Sequence, residues 1–305
     1  MRSWKKPTQD QIDKAISLLV QPGQYRHFLD NLENPEWLIP LLDAGIFGSP
    51  PPVDRDAQRG TIGFPMWPAS RYLARMAVHG EYQDSVARVI GAIPDTDNER
   101  VRADLLQAAL PLPATMTQQM VERALRWARE PMHFMLDDAV ASYAFHLASE
   151  SDYRSAIRLV ETLLYPLPDP TDREETSEWY PRPQPVTRLP IHRYCEICRG
   201  ATDALLPIAP LEFMDLLIRL LDRGLRFSRR PNEKDVFEDL SCVWRPSISD
   251  HPQNRLRSFL DALVTALRDV ASQIAKSSPE MASKVLASLE ERPWTVFRRL
   301  ALHVA

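Results

Sequence analysis

The residues best suited to chemistry are His192, Cys195 and Cys198, spaced H-x2-C-x2-C, with Cys242 further along the chain. Thiolate sulfur and imidazole nitrogen are the donors that tetrahedral zinc prefers, so a Cys3His set has the right ligand types. The spacing suits a metal less well. On a helix, ligands at i, i+3 and i+6 drift around the axis and converge poorly on one ion. Cysteine is also among the most buried residue types, as a small hydrophobe. These four residues are candidate metal ligands, and the expected cofactor is none.

His133, Asp137, Asp138 and His146 fall in one predicted helix at 133–148. His133 and Asp137 are four apart, close enough on a helix to share a metal. The alternative is a pair of histidines at the edge of the core, with carboxylates solvated or paired to arginine. A third group is cationic. Arg219, Arg223, Arg226 and Arg230 recur at i, i+4, i+7 and i+11, joined by Arg229. If the helix runs on through Gly224, they form one stripe able to bind phosphates or an acidic protein. The alternative is a solvated face opposite Leu217 and Leu221, balanced by Asp215 and Asp222. No nucleophile elbow, phosphate loop or dinucleotide fingerprint is present.

The elements that must position these residues are marked by proline. The chain has 27 prolines and 9 glycines in 305 residues. Proline ends a helix, because it lacks an N–H and clashes with the preceding turn, yet it is welcome in the first turn of the next. A chain punctuated this way, with almost no alternating strand pattern, reads as all-α. Helix is predicted at 9–20, broken by Pro22 and Gly23. Two short helices follow, with Asn34 as N-cap, Pro35 at N1 and Gly45 as the stop. Residues 45–63 are predicted as loop.

From Phe64 the pattern is regular. Tyr82, Val86, Val89, Ile90 and Ile93 follow a 3.6-residue period, as do Val101, Leu105, Ala108 and Ala109, then Met120, Ala124, Trp127 and Ala128. A further helix is predicted at 151–164. Residues 165–191 are crowded with proline and predict a long irregular excursion, anchored by Trp179 and Tyr180. Phe213, Leu217, Leu220 and Leu221 mark a helix, 233–241 a short one, and 253–276 the longest. Ser278-Pro279-Glu280 starts another, and Pro293 starts the last. Five tryptophans, Trp37, Trp67, Trp179, Trp244 and Trp294, lie close to prolines, where they can rigidify helix junctions.

Between 64 and 164 the helices recur in pairs of roughly 30–40 residues, near the length of helical repeats. The reading is one α-helical repeat domain over 1–305. It divides into N-terminal helices and a loop at 1–63, helix pairs at 64–164, the proline-rich loop at 165–191, and C-terminal helices at 192–305. The final helix carries Phe297, Leu300 and Val304 as an apolar stripe with no later helix to cover it. End repeats of a solenoid need a polar outer face. This stripe therefore predicts docking onto the 279–290 helix, a subunit interface, or a natural chain that continues.

The irregular helix pairs resemble HEAT or armadillo-type α-solenoids. PEWLIPLLDAGIF, FPMWPASRYLARMA, SDHPQNRLRSFLDALVTALRDVA and RPWTVFRRLALH also resemble the N-terminal helical region of large, uncharacterised bacterial proteins, associated with defence-type gene neighbourhoods. The resemblance implies no activity and no catalytic residue.

A net charge of −4 argues against general affinity for nucleic acid or anionic membrane. Of 37 basic residues only six are lysine. That bias suits bidentate pairing and ring stacking, and equally reflects a GC-rich coding sequence. The N-terminus lacks a signal-peptide pattern, no run of about 18 apolar residues exists, and three cysteines make no disulfide framework. The expectation is a cytoplasmic, non-enzymatic scaffold that binds a protein partner. A nucleic-acid-binding repeat using Arg219–Arg230 is the alternative, and a metal-dependent enzyme the third reading.

Overall fold

The computed structural model describes residues 4–56, 58–133, 135–171, 182–229, 239–252, 254 and 258–305. They are mostly helical and hold one two-stranded sheet. The chain packs as two compact units, Met1–Glu150 and Ser151–Ala305. The division falls inside the stretch of helix pairs expected over 64–164.

The first unit comprises α1 (Gln9–Leu18), α2 (Pro22–Asn31), a 3-10 turn (Pro35–Trp37) leading into α3 (Leu38–Asp43), and a hairpin of β1 (Asp54–Asp56) and β2 (Thr61–Gly63). After these come α4 (Pro68–Met76), α5 (Gln83–Ala92), α6 (Glu99–Ala109), α7 (Gln118–Trp127) and α8 (Leu136–Ser149). Local chemistry sets the boundaries. Thr8 and Gln11 form a reciprocal capping box at α1. Pro22 does not break a helix; it occupies the first turn of α2, where its missing N–H costs nothing. Asn34 caps the Pro35 turn through Glu36 N–H. Gly45, at φ +77°, closes α3: its N–H bonds to Leu42 O and that of Ile46 to Leu41 O, a Schellman motif.

The expected loop at 45–63 holds the β1–β2 hairpin, in register Asp54↔Gly63, Arg55↔Ile62 and Asp56↔Thr61. Three residues per strand, largely exposed, leave too little alternation to read from sequence. The buried side chain of Asn98 ties this loop down. Its amide donates to Pro51 O at 3.0 Å and Pro65 O at 2.9 Å, while its Oδ1 caps α6.

Helices of this unit pack alternately. α4 lies against α2 and α6, and α6 lies against α8, while α3 lies against α5. Val86, Val89, Val101, Leu105, Met120 and Ala124 are buried, as their spacing predicts. Each fully buried large apolar side chain contributes roughly 1.5–3 kcal/mol.

The second unit comprises α9 (Tyr153–Leu164), α10 (Ile191–Leu205), α11 (Pro210–Phe227), a single turn α12 (Ser241–Trp244), α13 (Phe259–Ala275), α14 (Pro279–Glu290) and α15 (Thr295–Val304). α13 is central and packs against α10, α11, α14 and α15. Gly224 permits the close approach of α11: a Cβ there would sit 2.7 Å from Leu260 Cδ2 and 2.9 Å from the Phe259 ring. The helix expected at 253–276 begins at Phe259, set by a Ser258/Asp261 capping box. At 17 residues it is slightly shorter than α11 at 18. Most of the helix expected at 233–241 lies outside the described residues. So do Trp179 and Tyr180. The flanks of the proline-rich stretch meet, because Leu167 and Val186 exchange two backbone hydrogen bonds.

The C-terminal stripe is covered within its own unit. α15 packs against α14, α13 and α12, and Phe297 and Leu300 are fully buried while Val304 is half-buried. Of the outcomes expected for this stripe, docking onto the 279–290 helix is the one seen, since α15 packs against α14. Asp239 fixes the start of α15 by accepting from Val296 N at 2.7 Å, and Trp294 Nε1 donates to Asp222 at 2.6 Å across the interior.

Candidate functional site

The proposed metal ligands do not converge. His192, Cys195 and Cys198 ride on α10, where Cys198 is buried, Cys195 half-buried and His192 exposed. Cys242 is exposed on α12. Burial pushes both the Cys195 and Cys198 thiols above their ordinary range, which disfavours the thiolate a metal needs. Among the described residues, no three His, Cys, Asp or Glu side chains are grouped to hold an ion.

The histidine and aspartate group is also dispersed. His133 precedes α8 and is not helical, contrary to the predicted span. Its backbone N–H and its Nδ1–H both donate to the buried Glu99 carboxylate, at 2.8 and 2.7 Å. Asp137 is buried and Asp138 exposed. His146 Nε2 lies 2.9 Å from Leu112 O. A carbonyl only accepts, so Nε2 carries the proton there.

Of the arginine stripe, Arg219, Arg223 and Arg226 lie on α11, which does persist through Gly224, and Arg229 follows its end. Arg230 lies outside the described residues. The guanidiniums are engaged rather than offered. Arg219 pairs with Asp215 and Glu161, and Arg226 with Asp222. Arg223 donates to the Tyr165 hydroxyl and stacks 4.8 Å over its ring, and Arg229 lies 5.9 Å from the Trp294 ring. Arg219 and Arg226 are thereby neutralised by carboxylates, while Arg223 and Arg229 are held against neutral rings.

A charged cluster in the first unit was not visible in the sequence, because its members come from α6, α7 and the loop after α5. Trp127 is fully buried between Arg102 and Arg123, whose guanidinium carbons lie 5.4 and 5.1 Å from its ring, and Nε1 donates to Asp95 at 2.9 Å. Burial alone would raise the Asp95 pKa. The hydrogen bonds from Trp127 and Arg126, with the charge of Arg123, hold it below the usual range. Arg102 also pairs with Glu130 at 2.5 Å, and Arg123 donates to Ile90 O, Ile93 O and Pro94 O. Every polar group in this cluster has a protein partner. It joins α5, α6 and α7.

What this cluster supports is a groove. Arg123 runs from α7 to the C-terminal carbonyls of α5, and beside it the two helices leave a cleft of ≈ 230 Å³. Ile90, Leu112 and Met120 give it a buried apolar floor, with Met116 part-exposed at one end. Gly91 makes room for Gln119, whose Oε1 would lie 3.1 Å from a Cβ at that position. Arg88 and Arg123 stand at its sides, and no lining residue is acidic. Two larger clefts are shallower in their apolar floors. One of ≈ 510 Å³, between Leu206 and Met281, has Ile274 as its buried residue; the other, of ≈ 630 Å³ beside Trp4 and His79, has Met76.

Among the described residues no helix is long and apolar enough to cross a membrane. Compared with protein-family models, with curated proteins and with solved structures, the chain gives no match.

Proposed function

We propose that this protein is a helical-repeat module that binds another protein, without chemistry of its own. The observation that carries this reading is the alternate packing in the first unit, with α2, α4, α6 and α8 in succession and α3 against α5. Helix pairs that stack in this manner bury a continuous core and leave grooves between neighbours, as HEAT-like solenoids do. The α5/α7 cleft is such a groove. Nucleic-acid binding ranks below it, because Arg219, Arg223, Arg226 and Arg229 are already engaged with carboxylates or rings. A metal-dependent enzyme ranks last, because His192, Cys195, Cys198 and Cys242 stand apart.

The test is a selection of displayed random peptides against the intact chain, with a labelled single-stranded nucleic acid titrated in parallel at physiological salt. The proposal expects enriched peptides that bind the intact chain and not its heat-denatured form, and no saturable nucleic-acid binding. Saturable, salt-sensitive nucleic-acid binding with no enriched peptide would overturn it.

A further inference from the structure

We infer that the α5/α7 groove receives a partner segment carrying an apolar side chain next to a carboxylate. The inference rests on the protein-binding reading above and specifies its chemistry.

The floor accounts for the apolar part. Ile90, Leu112 and Met120 are buried beneath the opening, and Met116 is 38% exposed at its mouth. A partly exposed thioether over a closed apolar floor is an adaptable contact surface, since methionine reshapes without branched-chain clashes. The cavity of ≈ 230 Å³ is below the roughly 300–1,000 Å³ typical of small-molecule sites. Its scale is that of a side chain presented by a larger partner.

The walls account for the carboxylate. Arg88 is exposed on α5 and makes no ion pair or hydrogen bond among the described residues. Arg123 is half-buried; its Nη1 and Nη2 reach Ile90 O, Ile93 O and Pro94 O, and no hydrogen bond is made by its Nε. Burial lowers its pKa, Asp95 pulls the other way, and the charges of Arg126 and Arg102 add to the lowering. Arg88 and Arg123 thus leave a positive groove with no carboxylate in its lining. Charge complementarity favours an acidic group on the occupant. A bare polyanion fits less well, because only two cations face the groove and its floor is apolar.

The outcome is read from the same displayed library against the intact chain. Enriched peptides are expected to share a large apolar residue within two positions of Asp or Glu. Binding of one such synthetic peptide, followed by fluorescence anisotropy, is expected to weaken about tenfold with Arg88→Glu and similarly with Met116→Lys. Replacing the peptide's acid by lysine should restore binding to the Arg88→Glu variant. Both substitutions are at exposed positions, so circular dichroism and thermal melting should be unchanged. Enriched peptides that lack acids, or that bind Arg88→Glu and Met116→Lys as tightly as the parent, overturn this inference and leave the protein-binding reading standing. Failure to enrich any peptide overturns both.

Discussion

Ser70 and Asp104 illustrate how single residues settle the interior of the first unit. Ser70 Oγ is buried, 2.8 Å from Trp67 O and 2.6 Å from Asp104 Oδ2. One hydroxyl proton serves only one acceptor well. The hydroxyl is therefore shared, donating towards both Trp67 O and the Asp104 carboxylate. Burial raises the Asp104 pKa against the opposing effects of Ser70, Arg100 and Arg71. A carboxyl whose pKa is raised on folding costs stability as pH rises through its folded value, and costs nothing below its unfolded value of about 3.9. Asp104→Asn removes the ionisation and keeps an oxygen able to accept from Ser70. Its melting temperature at pH 7 is expected to equal or exceed that of the parent, with the difference vanishing below about pH 3.9. A variant that melts lower at pH 7 than the parent would show that the charged form is the favoured one. This pair was hidden in the sequence, since 34 positions separate its members and neither belongs to a recognisable motif.

Elements were more legible than sites. Asn34, Gly45 and Ser278 mark helix ends because capping is local chemistry. Pro22 marks the start of α2 rather than the end of α1, because a residue barred from a helix interior is welcome in the first turn. The β1–β2 hairpin was missed because its strands bury little. The stripe of Phe297 and Leu300 was rightly read as core-facing, but periodicity names the buried face and not the helix that covers it. The contact of α11 with α13 has the same origin and makes a sharp test. In an ordinary exposed helix, glycine to alanine gains about 1 kcal/mol. At Gly224 the added Cβ would meet Leu260 and the buried Phe259 ring, which is held 5.8 Å from Tyr194. Overpacking costs roughly 1–3 kcal/mol, so the clash outweighs the propensity. Gly224→Ala is expected to lower unfolding stability by about 1 kcal/mol in urea. A gain would mean that the helices separate freely at this point.

At the scale of the whole molecule, the all-α class was legible from proline spacing and 3.6-residue periods, while the division into Met1–Glu150 and Ser151–Ala305 was not. No composition shift or linker marks Glu150, because only residues 150–152 separate α8 from α9. The groove was not legible either. Arg88, Met116 and Arg123 read as ordinary helix and loop residues until α5 and α7 bring them together. The most direct measurement is the hydrogen-exchange footprint of a selected peptide bound to the intact chain. The account predicts slowed exchange in α5, in residues 112–117 and in α7, with α10 to α15 unchanged. Slowing confined to the second unit, around Arg219–Arg229, would contradict it.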